Sequence, residues 1–495
     1  LGGTILPSYQ RLVIDEAHHL EDEATRQLGY EVSQGRLDDL LTALGRALDT
    51  ARAALRGQLM RPERRREGEA ALAEVDAHLA ALRDAWARLW GLAAALLLEH
   101  APRNGPPSAG GLQARLTPAL RAGSAWAELE LAWERVDLAL AEGARRVERL
   151  ARVLHQARGE DVADLELLAA DALGWTEEVA DLRDRLREAL TAPDPSRVYW
   201  MAQGERGDAL SVAAAPLHVG PLLQERLFGT TEGVVLTSAT LTSGGSFQHL
   251  RERIGLEEAE ELAVGSPFDY RRAALLLVPL DIPDPDRPGY GEALQGAVLH
   301  MATALGGHTM VLFTSHTALQ AAARALRAHL PDLRVLAQGV DGTPQQLVAA
   351  FQADPRAVLL GTASFWEGVD LAEGVLRCLV LARLPFNVPT EPVFAARAEQ
   401  YEAPFAQYAL PQAVLRFRQG FGRLVRRKGD RGVVLVLDRR LLTRGYGQTF
   451  LKSLPPVTLH KGPLARLLGD GVAWLRAATP RGEGMDVGRV ERETG

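Results

Sequence analysis

Short apolar runs that end on polar residues alternate with longer amphipathic segments over most of the second half of the chain. The apolar runs predict strands at 274–278, 310–313, 334–336, 357–360, 377–381 and 433–437. Segments with helical spacing lie between them, for example at 291–305, 316–329, 344–352 and 411–418. Alternating strands and helices predict a parallel, doubly wound α/β sheet.

A different pattern covers residues from about 20 to 193. This segment is rich in Ala, Leu, Arg and Glu, and its apolar positions recur three and four residues apart, as at Leu72, Val75 and Leu79. We therefore predict an all-helical insertion of several long helices. Strand-like sequence returns after it, most clearly at 233–237.

These patterns divide the chain into four parts. Residues 1–25 and 196–268 are predicted to form part of a first αβ domain, and residues 26–195 form the helical insertion. Residues 269–478 are predicted to form a second αβ domain. The last segment, 479–495, is rich in Gly and charged residues, so we expect a flexible tail.

Composition narrows the class of protein. Hydrophobic residues make up 47% of the chain and charged residues 24%, and no charge-free stretch is long enough to span a membrane. Cys378 is the only cysteine, which excludes a disulfide within the chain and favours a cytoplasmic location. The net charge is −7, yet residues 411–452 contain eleven cations and two anions. This local patch favours a polyanionic partner because screening limits the reach of distant charges.

The first candidate site is the sequence Val13-Ile14-Asp15-Glu16-Ala17-His18, which follows a strand-like apolar run. An Asp at a strand end can hold Mg²⁺ through water, and the adjacent Glu can polarise the water that attacks a phosphate. An isolated Asp-Glu pair would indicate only the acidic start of a helix. The complete tetrad after an apolar strand is far more specific for nucleotide hydrolysis.

Hydroxyl side chains also follow two other predicted strands. Ser238 and Thr240 come after strand 233–237, where they would tie the acidic site to a nucleic-acid site, although a simple Ser/Thr turn explains this string better when it is taken alone. Thr314 and Ser315 follow strand 310–313, and such hydroxyls suit phosphate contacts.

The segment Gly361–Asp370 combines small residues with two aromatic residues after strand 357–360. Small residues there let backbone N–H groups approach a phosphate, and Thr362 and Ser364 add hydroxyls. Trp366 is predicted either to stack on a base or to lie in the core, and for Phe365 we favour the core.

Arg423 and Arg426 are three residues apart, so on a helix they would share a face. Two guanidinium groups on one face can clamp a γ-phosphate and stabilise its transition-state charge. The alternative is a basic surface for nucleic-acid backbone, which suits Arg427, Lys428 and Arg431 better.

Together these segments resemble motifs II, III, V and VI of superfamily 2 helicases. Their individual residues are most similar to the motifs of the XPD-like branch, which includes the bacterial DinG-type helicases. The resemblance implies two RecA-like parallel-sheet domains, the first one incomplete, with an Arch-like helical insertion between motifs II and III. It also implies an ATP-dependent DNA helicase that uses ATP and Mg²⁺ and moves 5′ to 3′ on single-stranded DNA. Forked or hybrid duplexes are further expected substrates, and a monomer is expected.

The resemblance also implies roles for individual residues. Asp15 would bind Mg²⁺ through water, Glu16 would activate water, and Gln419, Arg423 and Arg426 would contact the γ-phosphate. Coupling between ATP and nucleic acid would involve His18, Ser238, Thr240, Glu367, Gly368 and Asp370. Contacts with nucleic acid would come from Thr314, Ser315, Thr362, Ser364 and Trp366.

One motif of the family has no counterpart. The chain contains no Gly-Lys-Thr or Gly-Lys-Ser, and none of its three lysines can serve in such a phosphate-binding loop. We expect that loop, and any iron–sulfur domain, upstream of Leu1, and we predict that this chain alone does not hydrolyse ATP. Two alternatives remain: a two-metal nuclease, and a non-catalytic nucleic-acid-binding protein on a degenerate helicase fold.

Overall fold

The computed structural model describes residues 9–56, 62–101, 111–156, 165–204, 209–242, 245–366, 371–372, 374–427 and 429–477. The chain forms two compact units. Unit 1 comprises Leu1–Glu261 and Asn387–Pro411, and unit 2 comprises Leu262–Phe386 and Gln412–Gly495. Within these described ranges, no helix is long and apolar enough to cross a membrane.

The strands of the described residues are short, and most of them are apolar. In chain order they are β1 (Arg11–Ile14), β2 (Tyr30–Ser33), β3 (Leu112–Arg115), β4 (Arg197–Gln203), β5 (Ser211–Pro216), β6 (Gly233–Leu236), β7 (Ala274–Pro279), β8 (Thr309–Leu312), β9 (Arg334–Ala337), β10 (Ala357–Gly361), β11 (Cys378–Leu381), β12 (Gly432–Val436) and β13 (Thr458–Gly462). The six strands predicted for the second half of the chain are confirmed as β7 to β12, each within one residue at either end.

The α-helices range from single turns to a helix of 39 residues. In chain order they are α1 (Leu20–Gln27), α2 (Arg36–Arg56), α3 (Pro62–His100), α4 (Pro118–Arg121), α5 (Ser124–Gln156), α6 (Leu165–Leu190), α7 (Gly220–Leu223), α8 (Gln248–Ile254), α9 (Tyr270–Ala273), α10 (Tyr290–Leu305), α11 (His316–His329), α12 (Pro344–Ala353), α13 (Ala363–Trp366), α14 (Pro392–Ala398), α15 (Leu410–Phe421), α16 (Arg440–Thr443), α17 (Gly447–Ser453) and α18 (Leu464–Arg476). A 3₁₀ turn covers Ala17–His19, and π-helical turns cover Gln224–Phe228 and Phe405–Ala409.

The described residues of unit 1 form two separate sheets. Strands β1 and β6 pair in parallel, with Ile14 opposite Leu236. Both faces of this two-stranded sheet are partly open, and Val13 and Val235 on it are 67% and 57% exposed. The second sheet is antiparallel, with the strand order β2-β5-β4-β3.

Long helices of unit 1 enclose a large apolar core. Helices α2, α3, α5 and α6 contribute Leu and Ala at helical spacing together with buried tryptophans such as Trp126 and Trp133. The predicted insertion is therefore helical, apart from the short strands β2 and β3. Each of these strands has four residues, and their pairing with β5 and β4, rather than any local pattern, stabilises them.

A buried ion cluster joins three segments of unit 1. The Glu21 carboxylate on α1 accepts hydrogen bonds from Arg253 at the end of α8 and from Arg397 on α14. Arg397 also donates to Thr25 Oγ1 at 2.7 Å and to the Leu217 carbonyl at 2.8 Å. This cluster holds residues 387–411 in unit 1, a placement that the sequence patterns did not indicate.

Unit 2 is built on a seven-stranded parallel sheet with the order β13-β7-β12-β11-β8-β10-β9. Strands β7, β8, β10, β11 and β12 are buried along their whole length, which explains their continuous apolar sequences. Burial raises the pKa of the Cys378 thiol on β11 to about 12, so this cysteine is an unreactive core residue at neutral pH. The edge strand β13 escaped prediction because it is mainly polar and exposed.

Candidate functional site

The acidic residues Asp15 and Glu16 lie directly after β1, and both are exposed. Glu16 has a left-handed backbone conformation (φ 50°, ψ 41°), which is uncommon for a residue with a side chain. The backbone N–H of Glu16 donates a hydrogen bond to Asp15 Oδ1 at 2.9 Å. The next residue, Ala17, is buried and donates its N–H to the Thr237 carbonyl at 3.0 Å, which anchors the turn beside β6.

Ser238 brings the segment after β6 to this acidic site. Its hydroxyl donates to Glu16 Oε2 at 2.9 Å and lies 2.8 Å from His18 Nδ1. With the serine proton directed to Glu16, the contact with His18 requires a proton on Nδ1. Glu16 and Ser238 are 222 residues apart, so the parallel pairing of β1 with β6 creates the cluster.

Thr240 is a buried member of this cluster. The residue is only 5% exposed, and its backbone N–H donates to Ser238 Oγ at 3.2 Å. The structure therefore brings together Glu16, His18, Ser238 and Thr240, four of the residues that the sequence indicated.

The predicted nucleic-acid residues of unit 2 lie at the carboxyl ends of β8 and β10, which are neighbours in the sheet. Ser315 is the N-cap of α11, and its hydroxyl accepts the Ala318 N–H at 3.1 Å. Thr362 is buried, whereas Ser364 is exposed. Thr314 follows β8 and is half-buried.

Trp366 is a core residue in this structure. It is 1% exposed, and its indole N–H donates to the Phe313 carbonyl at 3.0 Å. A ring with no accessible face cannot stack on a base, so the assignment of Trp366 to nucleic acid has no support here. Phe365 is also fully buried, as the sequence favoured.

The arginine pair does not lie on a helix. Helix α15 carries Gln419 but ends at Phe421, so the expected helical face shared by Arg423 and Arg426 does not exist. Leu424 and Val425 are buried, and the chain leaves the helix to bring them into the core.

Each arginine is held in a different way. The Arg423 guanidinium donates to the Trp366 carbonyl through Nε at 3.3 Å and Nη2 at 3.1 Å. Arg426 is exposed, and its backbone N–H donates to Asp430 at 2.8 Å. On α15 itself, burial lowers the pKa of Arg418, five residues before Arg423.

Glu367, Gly368 and Asp370 lie outside the described residues, as does Lys428 of the basic segment. Two further polar residues, which the sequence patterns did not indicate, lie at the edge of the unit 2 sheet. Gln338 follows β9 and His316 begins α11, and both contact Thr362. A sequence signal for Gln338 did exist. Like Thr362, it is a polar residue that directly follows an apolar strand.

Known proteins match much of this chain. The helicase C-terminal domain family matches residues 298–457. A Bacillus subtilis protein named 3′-5′ exonuclease DinG is 37% identical over 56% of this chain and 31% of its own length. The ATP-dependent DNA helicase YoaA of Escherichia coli is 37% identical over 65% of this chain and 50% of its own length. The ATP-dependent helicase DinG of Mycobacterium tuberculosis is 39% identical over 56% of this chain and 43% of its own length.

The chain thus spans half or less of the length of these relatives. Within the aligned segments, more than a third of its residues are identical to theirs. Over the aligned segments, this chain is similar to DinG-type helicases.

Proposed function

We propose that this chain supplies most of the motor of an ATP-dependent DNA helicase, which couples ATP hydrolysis to strand separation on single-stranded DNA. The observation that carries the proposal is the contact of Ser238 with both Glu16 and His18. A hydroxyl that bridges the acid to a second polar residue can change partners when the nucleotide changes. The names of two relatives, an ATP-dependent DNA helicase and an ATP-dependent helicase, point in the same direction.

The acidic site fits a hydrated divalent cation. Asp15 and Glu16 are exposed at a strand end, and carboxylate oxygens are the ligands that Mg²⁺ prefers. When bound, Mg²⁺ would neutralise charge that develops on the phosphates. Asp15 would hold that ion through water, and Glu16 would orient the attacking water and accept its proton.

The resemblance to helicase motif VI assigns hydrolytic roles to three further residues. We assign to Arg423 and Arg426 the stabilisation of transition-state charge, and to Gln419 a contact with the γ-phosphate. His18, Ser238 and Thr240 would relay the state of the nucleotide. Glu367, Gly368 and Asp370 are proposed to complete that relay.

Nucleic acid would bind at the carboxyl edge of the unit 2 sheet through Thr314, Ser315 and Ser364. Hydroxyl contacts of this kind position a phosphodiester backbone without reading sequence. We further propose that the helicase moves from 5′ to 3′ along single-stranded DNA. It would act as a monomer in the cytoplasm.

The first experiment uses the 495-residue chain itself. We expect it to bind a fluorescein-labelled single-stranded oligonucleotide and to show no ATP turnover with Mg²⁺ and DNA, because it has no Lys-bearing phosphate loop. Robust DNA-stimulated turnover would contradict the second expectation. Mg²⁺-dependent release of nucleotides from the oligonucleotide would favour the nuclease alternative.

The second experiment uses a longer protein in which a Gly-Lys-Thr loop precedes this chain. There, Glu16→Gln should abolish turnover while ATP still binds, because the substitution removes the proton acceptor and keeps the shape. Glu23→Gln, at an exposed acid seven residues later, is the matched control and should turn over normally. Absent turnover in the unsubstituted longer protein would favour the non-catalytic alternative.

A further inference from the structure

Three neighbouring strands of unit 2, in the order β8-β10-β9, end at one edge of the sheet. Parallel strands place their carboxyl ends on the same side, so the residues that follow them lie close together. His316 comes after β8, Thr362 and Ser364 come after β10, and Gln338 comes after β9.

The side-chain amide of Gln338 holds the start of the loop after β10. Its Oε1 accepts the backbone N–H of Thr362 at 2.7 Å and the Thr362 hydroxyl at 3.0 Å. Its Nε2 donates to Ser364 Oγ at 2.9 Å. A backbone N–H can only donate, so the amide oxygen must face Thr362 and the amide nitrogen must face Ser364.

The positions of the hydroxyl protons follow from this orientation. The Thr362 proton is directed to Gln338, so His316 Nε2, 3.2 Å from the same oxygen, must be the donor in that contact. The Ser364 oxygen receives a proton from Gln338, which leaves its own proton for another acceptor. Thr362 is only 4% exposed, whereas Ser364 is exposed.

We propose that Gln338 is a positioning residue that directs the Ser364 hydroxyl proton towards a backbone phosphate of single-stranded nucleic acid. A phosphate oxygen only accepts hydrogen bonds, so it matches a hydroxyl whose oxygen is already occupied and whose proton is available. The inference rests on the proposed function and assigns the contact to Ser364 instead of Thr362. Thr362 is then an internal connection between Gln338 and His316.

The test measures the affinity of the chain for a labelled oligo-dT at fixed salt. Ser364→Ala removes the donor, and Gln338→Met removes the group that orients it without changing charge. Each variant should bind roughly tenfold more weakly, the usual effect of one hydrogen bond to a charged group. Gln345→Met, an exposed residue on α12, is the matched control and should bind as the unsubstituted chain does.

The double variant separates positioning from a general effect on the fold. Because both residues act through one proton, Gln338→Met with Ser364→Ala should bind as Ser364→Ala alone does. Losses that multiply to about a hundredfold would show that Gln338 acts independently and would overturn the inference.

A second substitution covers the case in which Gln338→Met does not fold. Gln338→Glu keeps the acceptor for Thr362 and turns the Ser364 proton inwards, so it should also weaken binding, whereas Gln345→Glu should not. Normal binding by these Gln338 and Ser364 variants would refute the inference and leave the proposed function intact. No binding by the unsubstituted chain would refute both.

Discussion

Glu21 lies between two arginines in the buried ion cluster of unit 1, and Glu21→Gln tests what this cluster contributes to stability. The side chains of Glu21, Arg253 and Arg397 are 12%, 5% and 4% exposed. The substitution keeps the size of the side chain but removes the negative charge. Two buried guanidinium groups would then lack a carboxylate, and the amide N–H groups cannot accept from them.

The expected cost follows from this burial. Removing one partner of a buried ion pair typically destabilises a protein by about 3–5 kcal/mol, because the remaining charge stays desolvated. Helix α1 offers a matched control in Glu23, which pairs with Arg26 while the two side chains are 49% and 71% exposed. Glu23→Gln should cost less than about 1 kcal/mol, and both substitutions remove an acid from the first turn of α1.

Urea unfolding followed by tryptophan fluorescence provides the measurement, since six of the eight tryptophans lie in unit 1. Hydrogen exchange in α14 provides a local one, because Arg397 lies on that helix. Glu21→Gln should lower the free energy of unfolding and speed exchange in α14, whereas Glu23→Gln should change neither appreciably. Equal effects of the two substitutions would refute the reasoning and show that the cluster contributes no more than a surface pair.

Three further predictions concern a titration, a buried ring and two glycines. Burial lowers the pKa of His249, so on acidification the unfolded chain takes up a proton before the folded chain does. The free energy of unfolding should therefore fall between pH 7 and pH 5, by up to about 1.4 kcal/mol per pH unit for one proton, and His249→Gln should flatten that slope in urea titrations. Trp366→Phe removes the buried indole N–H donor and should cost about 1–3 kcal/mol in denaturant unfolding, with unchanged affinity for oligo-dT; weaker binding would restore the stacking role. Gly420→Ala would place a Cβ 2.7 Å from the Trp366 ring and should destabilise unit 2, whereas Gly469→Ala on α18 meets nothing within 4 Å and should raise the melting temperature.

The strand pattern of unit 2 could be predicted because its parallel strands are buried on both faces. Strands β7, β8, β10, β11 and β12 are almost entirely apolar and are buried along their whole length. The edge strand β9 is also apolar after its exposed first residue, Arg334. The acidic tetrad was equally visible, since Asp15 to His18 are consecutive and follow an apolar strand. These features depend only on residues that are neighbours along the chain, so the sequence is sufficient to predict them.

Contacts between distant residues were decided by the tertiary structure. Strand pairing brings Ser238 to Glu16, and packing of the rings buries Trp366, which the sequence left between two roles. Burial of Leu424 and Val425 ends α15 before Arg423, although the spacing of the arginines suited a helix. The sequence by itself therefore determined which residue types follow which strands. Only the tertiary structure decided which of them meet, because burial and hydrogen bonding across hundreds of residues outweigh the preferences of neighbours along the chain.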